Sequence, residues 1–161
     1  MKTDEFTDVT YEVENGLATI TINRPDRYNA FRARTVDELV LSCKYAWADD
    51  AVGTICLTGA GDKAFCTGGD LKLRAETNGL GESNTSLIDL ESLHRANRSI
   101  PTPLVAADNG PAVGGGHALH VLSHITSAAT HARFGQTGPQ HGPLSRGYGR
   151  STPQHHLDHT G

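Results

Sequence analysis

Between Gly16 and Asn23 (GLATITIN), apolar Ala18, Ile20 and Ile22 alternate with Thr19 and Thr21, which predicts a half-buried strand. Arg24–Asp26 (RPD) ends it, because proline cannot continue a ladder. The period then changes. Val36, Leu39, Val40, Cys43 and Trp47 recur at helical spacing and form one apolar face, and Thr35 with Glu38 reads as a capping box opening that helix. A compact apolar run, Val52–Gly59 (VGTICLTG), predicts a buried strand that feeds a turn-rich segment, AGDKAFCTGGD. Residues 75–86 (AETNGLGESNTS) are polar and glycine-containing and read as a mobile loop. Leu87, Leu90, Leu93 and Ile100 mark a second helix that stops before Pro101–Pro103 (PTP). A short strand follows at Leu104–Ala107, and Ala118, Leu119, Val121 and Leu122 begin a further helix. Strand, glycine-rich turn and helix thus occur twice, which implies α/β layers.

From residue 140 the pattern disappears. QHGPLSRGYGRSTPQHHLDHTG has almost no apolar residues and no period, so the expected organisation is a core over 1–139 and a divergent, disordered tail over 140–161. A chain of 161 residues has room for one domain. Its 37% hydrophobic and 20% charged residues are a globular composition, and the net charge of −4 gives no sign of a nucleic-acid or membrane partner. No apolar run approaches the roughly 20 residues of a membrane span, and the first residues lack the apolar stretch of a secretory leader. Cys43, Cys56 and Cys66 have neither disulfide nor zinc spacing, so a cytoplasmic location is expected.

The two glycine turns carry the candidate chemistry. One is Ala64–Leu71 (AFCTGGDL) and the other is Asn109–His120 (NGPAVGGGHALH). A helix start presents unpaired N–H groups and the positive end of a dipole, and glycine allows close backbone approach. Two such N–H groups converging on a thioester carbonyl would stabilise an oxyanion. Glycines that merely permit tight packing are the alternative reading.

Four segments, ITINRPDRYNAFRARTVDEL, VGTICLTGAGDKAFCTGGDLK, AVGGGHALHVL and ARFGQTGP, together resemble the crotonase (enoyl-CoA hydratase/isomerase) superfamily over residues 9–139. The resemblance implies a spiral of ββα turns that binds an acyl-CoA. By position it gives the oxyanion donors as the N–H groups of Gly69 and Gly115. Arg27, Thr67, Gly68, Asp70, Leu71, Val113, Gly114 and Thr137 become the substrate-binding residues. It implies coenzyme A as part of the substrate, no tightly bound cofactor, no metal, and a homotrimer or hexamer.

Hydratases of this superfamily use two glutamates, and the matching positions here hold Ala118 and Gly138, neither of which can move a proton. That pattern resembles the naphthoyl-CoA synthase branch, which closes a ring by carbon–carbon bond formation. In one class of those enzymes a bicarbonate acts as base, and Gln136, Thr137 and Gly138 would line its site. The ring-opening 2-ketocyclohexanecarboxyl-CoA hydrolases are a similar rival. A remnant retaining at most acyl-CoA binding is a third reading.

The chain also departs from the family. The catalytic aspartate of its next segment falls on Ser145, and the serine of that segment falls on Pro143. Tyr28 stands where the synthases have a CoA-contacting arginine, which leaves Arg27 as the substitute. Leu71 replaces a glutamine and His124 an aspartate. The family's C-terminal helical part is not recognisable, which leads to the expectation of a truncated, frameshift-altered family member whose own activity is open.

Other residues have plainer readings. His117, His120 and His124 lie near one helix face and are read as a polar face, not a metal site. Cys66 is read as a small buried side chain and Asp70 as a helix cap. Lys72 and Arg74 suit CoA phosphates and a solvated face equally.

Overall fold

A computed structural model describes residues 2–82 and 90–136. The expected tail at 140–161, with Pro143 and Ser145, lies outside the described residues, as do Thr137 and Gly138 of the expected core and Leu87.

Strands β1 (Val9–Glu14) and β2 (Leu17–Ile22) form an antiparallel hairpin with Glu14 opposite Leu17. Its turn is Asn15-Gly16, both at positive φ, the pair that suits the right-handed twist of a two-residue hairpin. Strand β3 (Thr54–Gly59) runs parallel to β2, β4 (Leu104–Asp108) parallel to β3, and β6 (Ile125–Ala128) parallel to β4 as the edge. The sheet order is therefore β1-β2-β3-β4-β6. One face is apolar and dry: Ala18, Ile20 and Ile22 alternate inward on β2, Ile55 and Leu57 on β3, and Leu104 and Ala106 on β4. The other face of β3, with Thr54, Cys56 and Thr58, is only half-buried, so that strand alternates and is not buried on both sides.

Helix α1 (Ala33–Ala48) covers the dry face with Val36, Leu39, Val40, Cys43 and Ala46. Trp47 does not join them. It is 60% exposed, at a groove between α1 and α3 (Leu90–Ser99) that Cys43, Lys44 and Ile100 also line. Helical spacing admits either 46 or 47 on the stripe, and the smaller side chain takes the inward place. The capping box is also corrected. The helix starts two residues before Thr35, whose hydroxyl accepts from the Arg32 N–H (3.1 Å) and donates to Asp8 (2.6 Å). Glu38 is wholly buried and accepts the backbone N–H groups of Thr7 (3.0 Å), Asp8 (2.8 Å) and Val9 (2.9 Å). One carboxylate thereby ties α1 to the start of β1. Arg34 closes on its other side at 2.9 Å.

Helix α2 (Leu71–Thr77) occupies the first part of the segment expected to be a loop. Helix α3 ends at Ser99, before the two prolines as expected, with Leu93 and Ile100 buried. Helix α4 (Gly115–Val121) starts inside the second glycine cluster. A second, small sheet pairs β5 (Ala112–Val113) with β7 (Phe134–Gly135) in parallel.

Replacing Glu38 by Ala strands three backbone donors in the interior, and a loss of about 3 kcal/mol is expected. Urea unfolding of Glu38→Ala beside Glu38→Gln measures it, and the Gln variant, which keeps one acceptor oxygen, should lose less.

Candidate functional site

The small sheet is the outer part of a longer ladder. Phe31 bridges to Gly69, Cys66 bridges to Ala112, and β5 pairs with β7, all in parallel. Each of these segments crosses one wall of the molecule once and adds one rung. The Phe31 N–H donates to the Gly68 carbonyl (2.8 Å) and the Asp70 N–H to the Phe31 carbonyl (2.9 Å). The Val113 N–H donates to the Cys66 carbonyl (3.0 Å), and the Gly114 N–H to the Gly135 carbonyl (2.9 Å).

Beyond the Cys66–Ala112 bridge the two segments still meet at Gly68 and Gly115, and Gly69 directly follows Gly68. Neighbouring rungs lie about 4.8 Å apart. Two amides at that spacing can both reach one oxygen at about 2.9 Å. Among the described residues, neither the Gly69 nor the Gly115 N–H donates a hydrogen bond within the chain. Contacts confirm the closeness of the turns: a Cβ on Gly68, which has φ +85°, would stand 3.0 Å from the Gly115 nitrogen. A Cβ on Gly116 would stand 2.0 Å from the Cys66 carbonyl oxygen, so the helix start touches the neighbouring rung's backbone. The Phe31 ring, 2% exposed, floors both turns. It lies 2.5 Å from a Cβ built on Gly115 and 3.8 Å from one built on Gly69.

Polar side chains brace this wall. Asn29, at φ +54° and 1% exposed, donates to the Ala60 (2.9 Å) and Ala64 (2.7 Å) carbonyls and accepts the Arg24 N–H (3.0 Å). Asn109 donates to the Gly59 (2.8 Å) and Gly61 (2.6 Å) carbonyls. The loop leading to the first glycine turn is thus held from both sides. Arg24 binds the Ala30 carbonyl and the Asp70 carboxylate (3.0 Å). Asp70 caps α2 by accepting the Leu73 N–H at 3.1 Å. Burial raises its pKa, and the Leu73 N–H and Arg24 more than offset this, holding it below the usual carboxylate value. At Asp8, burial acts the same way and is overcome by Arg32 and Thr35. Arg24, Asn29, Asn109 and Asp8 were not among the residues singled out from the sequence. Asparagines beside turn residues were the available signal.

Of the residues singled out, Gly68 lies against Val113, Gly114 and Gly115, while Gly69 and Asp70 pair with Phe31. Thr67 donates to the Tyr28 carbonyl (3.1 Å), and Arg27 is exposed in a 3-10 turn and lowers the pKa of Asp70 by its charge. Leu71 is 61% exposed at the start of α2, and Lys72 and Arg74 are exposed on the same helix. Ala118 is buried on α4. Gln136, half-buried, directly follows β7. Cys66 is fully buried, and burial pushes its thiol up to about 12, which leaves it without nucleophilic thiolate at neutral pH.

The three helix histidines separate. His124 turns away and accepts the Leu104 N–H (3.0 Å). His117 Nδ1 and His120 Nε2 lie 2.8 Å apart, and His120 Nδ1 lies 3.3 Å from Asp108 Oδ2. Asp108 is 1% exposed at the end of β4. Burial pushes it up to about 7, and burial followed by the nearby His117 pushes His120 down to about 4. Between those values the pair holds one proton and no net charge. Among the described residues, no group of three or more His, Cys, Asp or Glu is arranged to hold a metal ion, and no helix is long and apolar enough to cross a membrane.

The sequence profile for Enoyl-CoA hydratase/isomerase matches residues 12–159, past residue 139 where the motif resemblance stops. An enoyl-CoA hydratase/carnithine racemase from Magnetospirillum magneticum is similar at 30% identity and TM-score 0.77, over 88% of this chain and 53% of that one. An enoyl-CoA hydratase from Bacillus anthracis is similar at 28% identity and TM-score 0.73, over 83% and 52%. An enoyl-CoA hydratase/isomerase from Xanthobacter autotrophicus Py2 gives 29% and 0.70, over 84% and 51%. The chain spans about half the length of these solved relatives.

Gly116→Ala drives a methyl into the Cys66 backbone and is expected to cost about 3 kcal/mol in urea unfolding, whereas Gly79→Ala, with nothing within 4 Å of its Cβ, should stay within about 0.5 kcal/mol. The raised Asp108 pKa gives a pH prediction. Its stabilising contribution is complete below its unfolded value of 3.8 and is lost as pH rises through about 7. Asp108→Asn removes that loss. Its melting temperature should exceed the parent's by about 10 °C at pH 8 and match it near pH 3.5. Calorimetric scans at the two pH values measure the difference.

Proposed function

The chain belongs to the enoyl-CoA hydratase/isomerase family, and on that footing we propose that it binds an acyl-CoA with the thioester oxygen between the Gly69 and Gly115 amides. The observation that carries this reading is the pairing of Cys66 with Ala112. It brings two turns together whose amides have no acceptor among the described residues. Helix α4 begins at Gly115, next to Gly68 of the first turn. Negative charge that builds on the thioester oxygen, as a proton leaves the adjacent carbon or as a nucleophile adds, is met by both donors. A single donor of this kind contributes about 3 kcal/mol to the transition state.

The reaction class follows from what α4 lacks. Ala118 stands on the first turn of α4, at the position that by resemblance matches a glutamate of the water-adding hydratases, and a methyl group moves no proton. The reading is therefore enolate chemistry that makes a carbon–carbon bond, of the naphthoyl-CoA synthase type. A base takes a proton from the carbon next to the thioester, the enolate oxygen forms in the hole, the enolate carbon attacks a carboxyl group elsewhere on the same substrate, and water leaves, so the CoA thioester is kept. Of the three residues assigned to bicarbonate, Gln136 has the amide N–H groups to hold an oxyanion and is half-buried beside β7; Thr137 and Gly138 lie outside the described residues.

The test uses the full chain with a 13C-carbonyl acyl-CoA. Bound thioester should show its carbonyl stretch shifted to lower frequency, and the matching S-alkyl thioether, which has no carbonyl, should bind about tenfold more weakly. Equal affinities with an unshifted carbonyl would sink the oxyanion reading. Turnover of an o-succinylbenzoyl thioester, with none of a crotonyl thioester, supports the ring-closing type, and the reverse overturns it.

A further inference from the structure

Asp108, His120 and His117 stand in a row from the sheet to the surface. Both oxygens of the Asp108 carboxyl are buried, and neither is paired by a well-aligned donor among the described residues. The nearest polar atom is His120 Nδ1 at 3.3 Å, and His120 Nε2 meets His117 Nδ1 at 2.8 Å. His120 is 9% exposed and His117 half-buried, so the row ends at solvent. The His120 ring lies flat on Phe134, with centroids 4.7 Å apart and 17° between planes. Phe134 opens β7, whose next residue, Gly135, accepts the Gly114 N–H. Gly114 directly precedes the Gly115 amide.

We propose that Asp108, His120 and His117 form a proton-relay row that positions strand β7, and through it Gly114 and the Gly115 amide, according to whether the row carries its proton. The importance of that amide rests on the acyl-CoA reading, while the relay itself does not. The protons balance in a definite way. With the proton present, the Asp108 hydroxyl donates to His120 Nδ1, His120 Nε2–H donates to His117 Nδ1, and His117 keeps its proton on Nε2. When the row gives up one proton, it leaves from His117 Nε2 to water. His120 then donates from Nδ1 to the carboxylate, and His117 donates from Nδ1 to His120 Nε2. Both imidazoles change tautomer, and a buried negative charge appears at the end of β4.

The groups facing His120 are Asp108 from β4, the Thr126 hydroxyl from β6 (3.5 Å), His117 from its own helix, and Phe134 from β7. Cys66 is the other titratable neighbour of Asp108, and its thiol stays neutral. Asp108 and His120 are therefore positioning residues for the amide.

The full chain, labelled with 15N-histidine and 15N-glycine, tests this by NMR between pH 5 and 9. The expected result is a reversal of both histidine tautomers at one shared midpoint near neutrality, with the Gly114 and Gly115 amides shifting at the same midpoint. In Asp108→Asn both histidines should keep one tautomer and the two amides should stay still. Histidines that titrate separately overturn the relay. Tautomer reversal with motionless Gly114 and Gly115 amides overturns the positioning. The wild-type titration decides both points if the variant does not fold, and a failure to bind acyl-CoA leaves these readings untouched.

Discussion

Pairing between Cys66 and Ala112 sets the distance between the two glycine turns, and the rest of the wall is arranged around it. A parallel ladder has a fixed spacing between rungs. Once the two segments pair, the amides that follow have a separation that side chains need not supply. Phe31 adds the next rung and floors both turns with its ring, and β7 adds the last. The proposed hole, made from backbone donors on a ladder, would be preorganised by the same hydrogen bonds that hold the fold, and its geometry would persist for as long as the rungs stay paired.

The loops between sheet and ladder are irregular, and an irregular backbone must satisfy its polar groups some other way. Here a few buried side chains do so. Asn29 and Asn109 stand in for the missing partners of carbonyls at Gly59, Ala60, Gly61 and Ala64. Glu38 does the same for three N–H groups before and within β1. Arg24 joins Asp70, the cap of α2, to Ala30, the neighbour of Phe31. Each of these groups has several partners, so removing one would leave more than one polar atom unpaired in a low-dielectric interior.

The regular parts of this arrangement were legible in the sequence. The alternation of Ala18, Ile20 and Ile22 and the helical recurrence from Val36 to Cys43 are periodic signals with a direct physical cause, and β2 and α1 stand where those signals put them. The paired glycine turns could be read because glycine marks close approach, which Gly68 and Gly116 exhibit. The hairpin partner β1 went unread although Asn15-Gly16 announces it. Strands β5 and β7 have two residues each, too few for any period. Thr35 and Glu38 fit a local capping pattern, but long-range contacts with Thr7, Asp8 and Val9 decide their role. The Asp108–His120 pair was invisible for the same reason, since its members come together only when α4 folds back over β4.

The groove between α1 and α3 gives one further property. Trp47, the chain's single tryptophan, stands there largely in water, in a groove that none of the glycine-turn residues lines. Its emission will follow whatever covers or loosens that outer helical pair. An optical signal from this indole is thus a gauge of helix docking, and a steady reading says nothing about whether the cradle between the ladder rungs is filled.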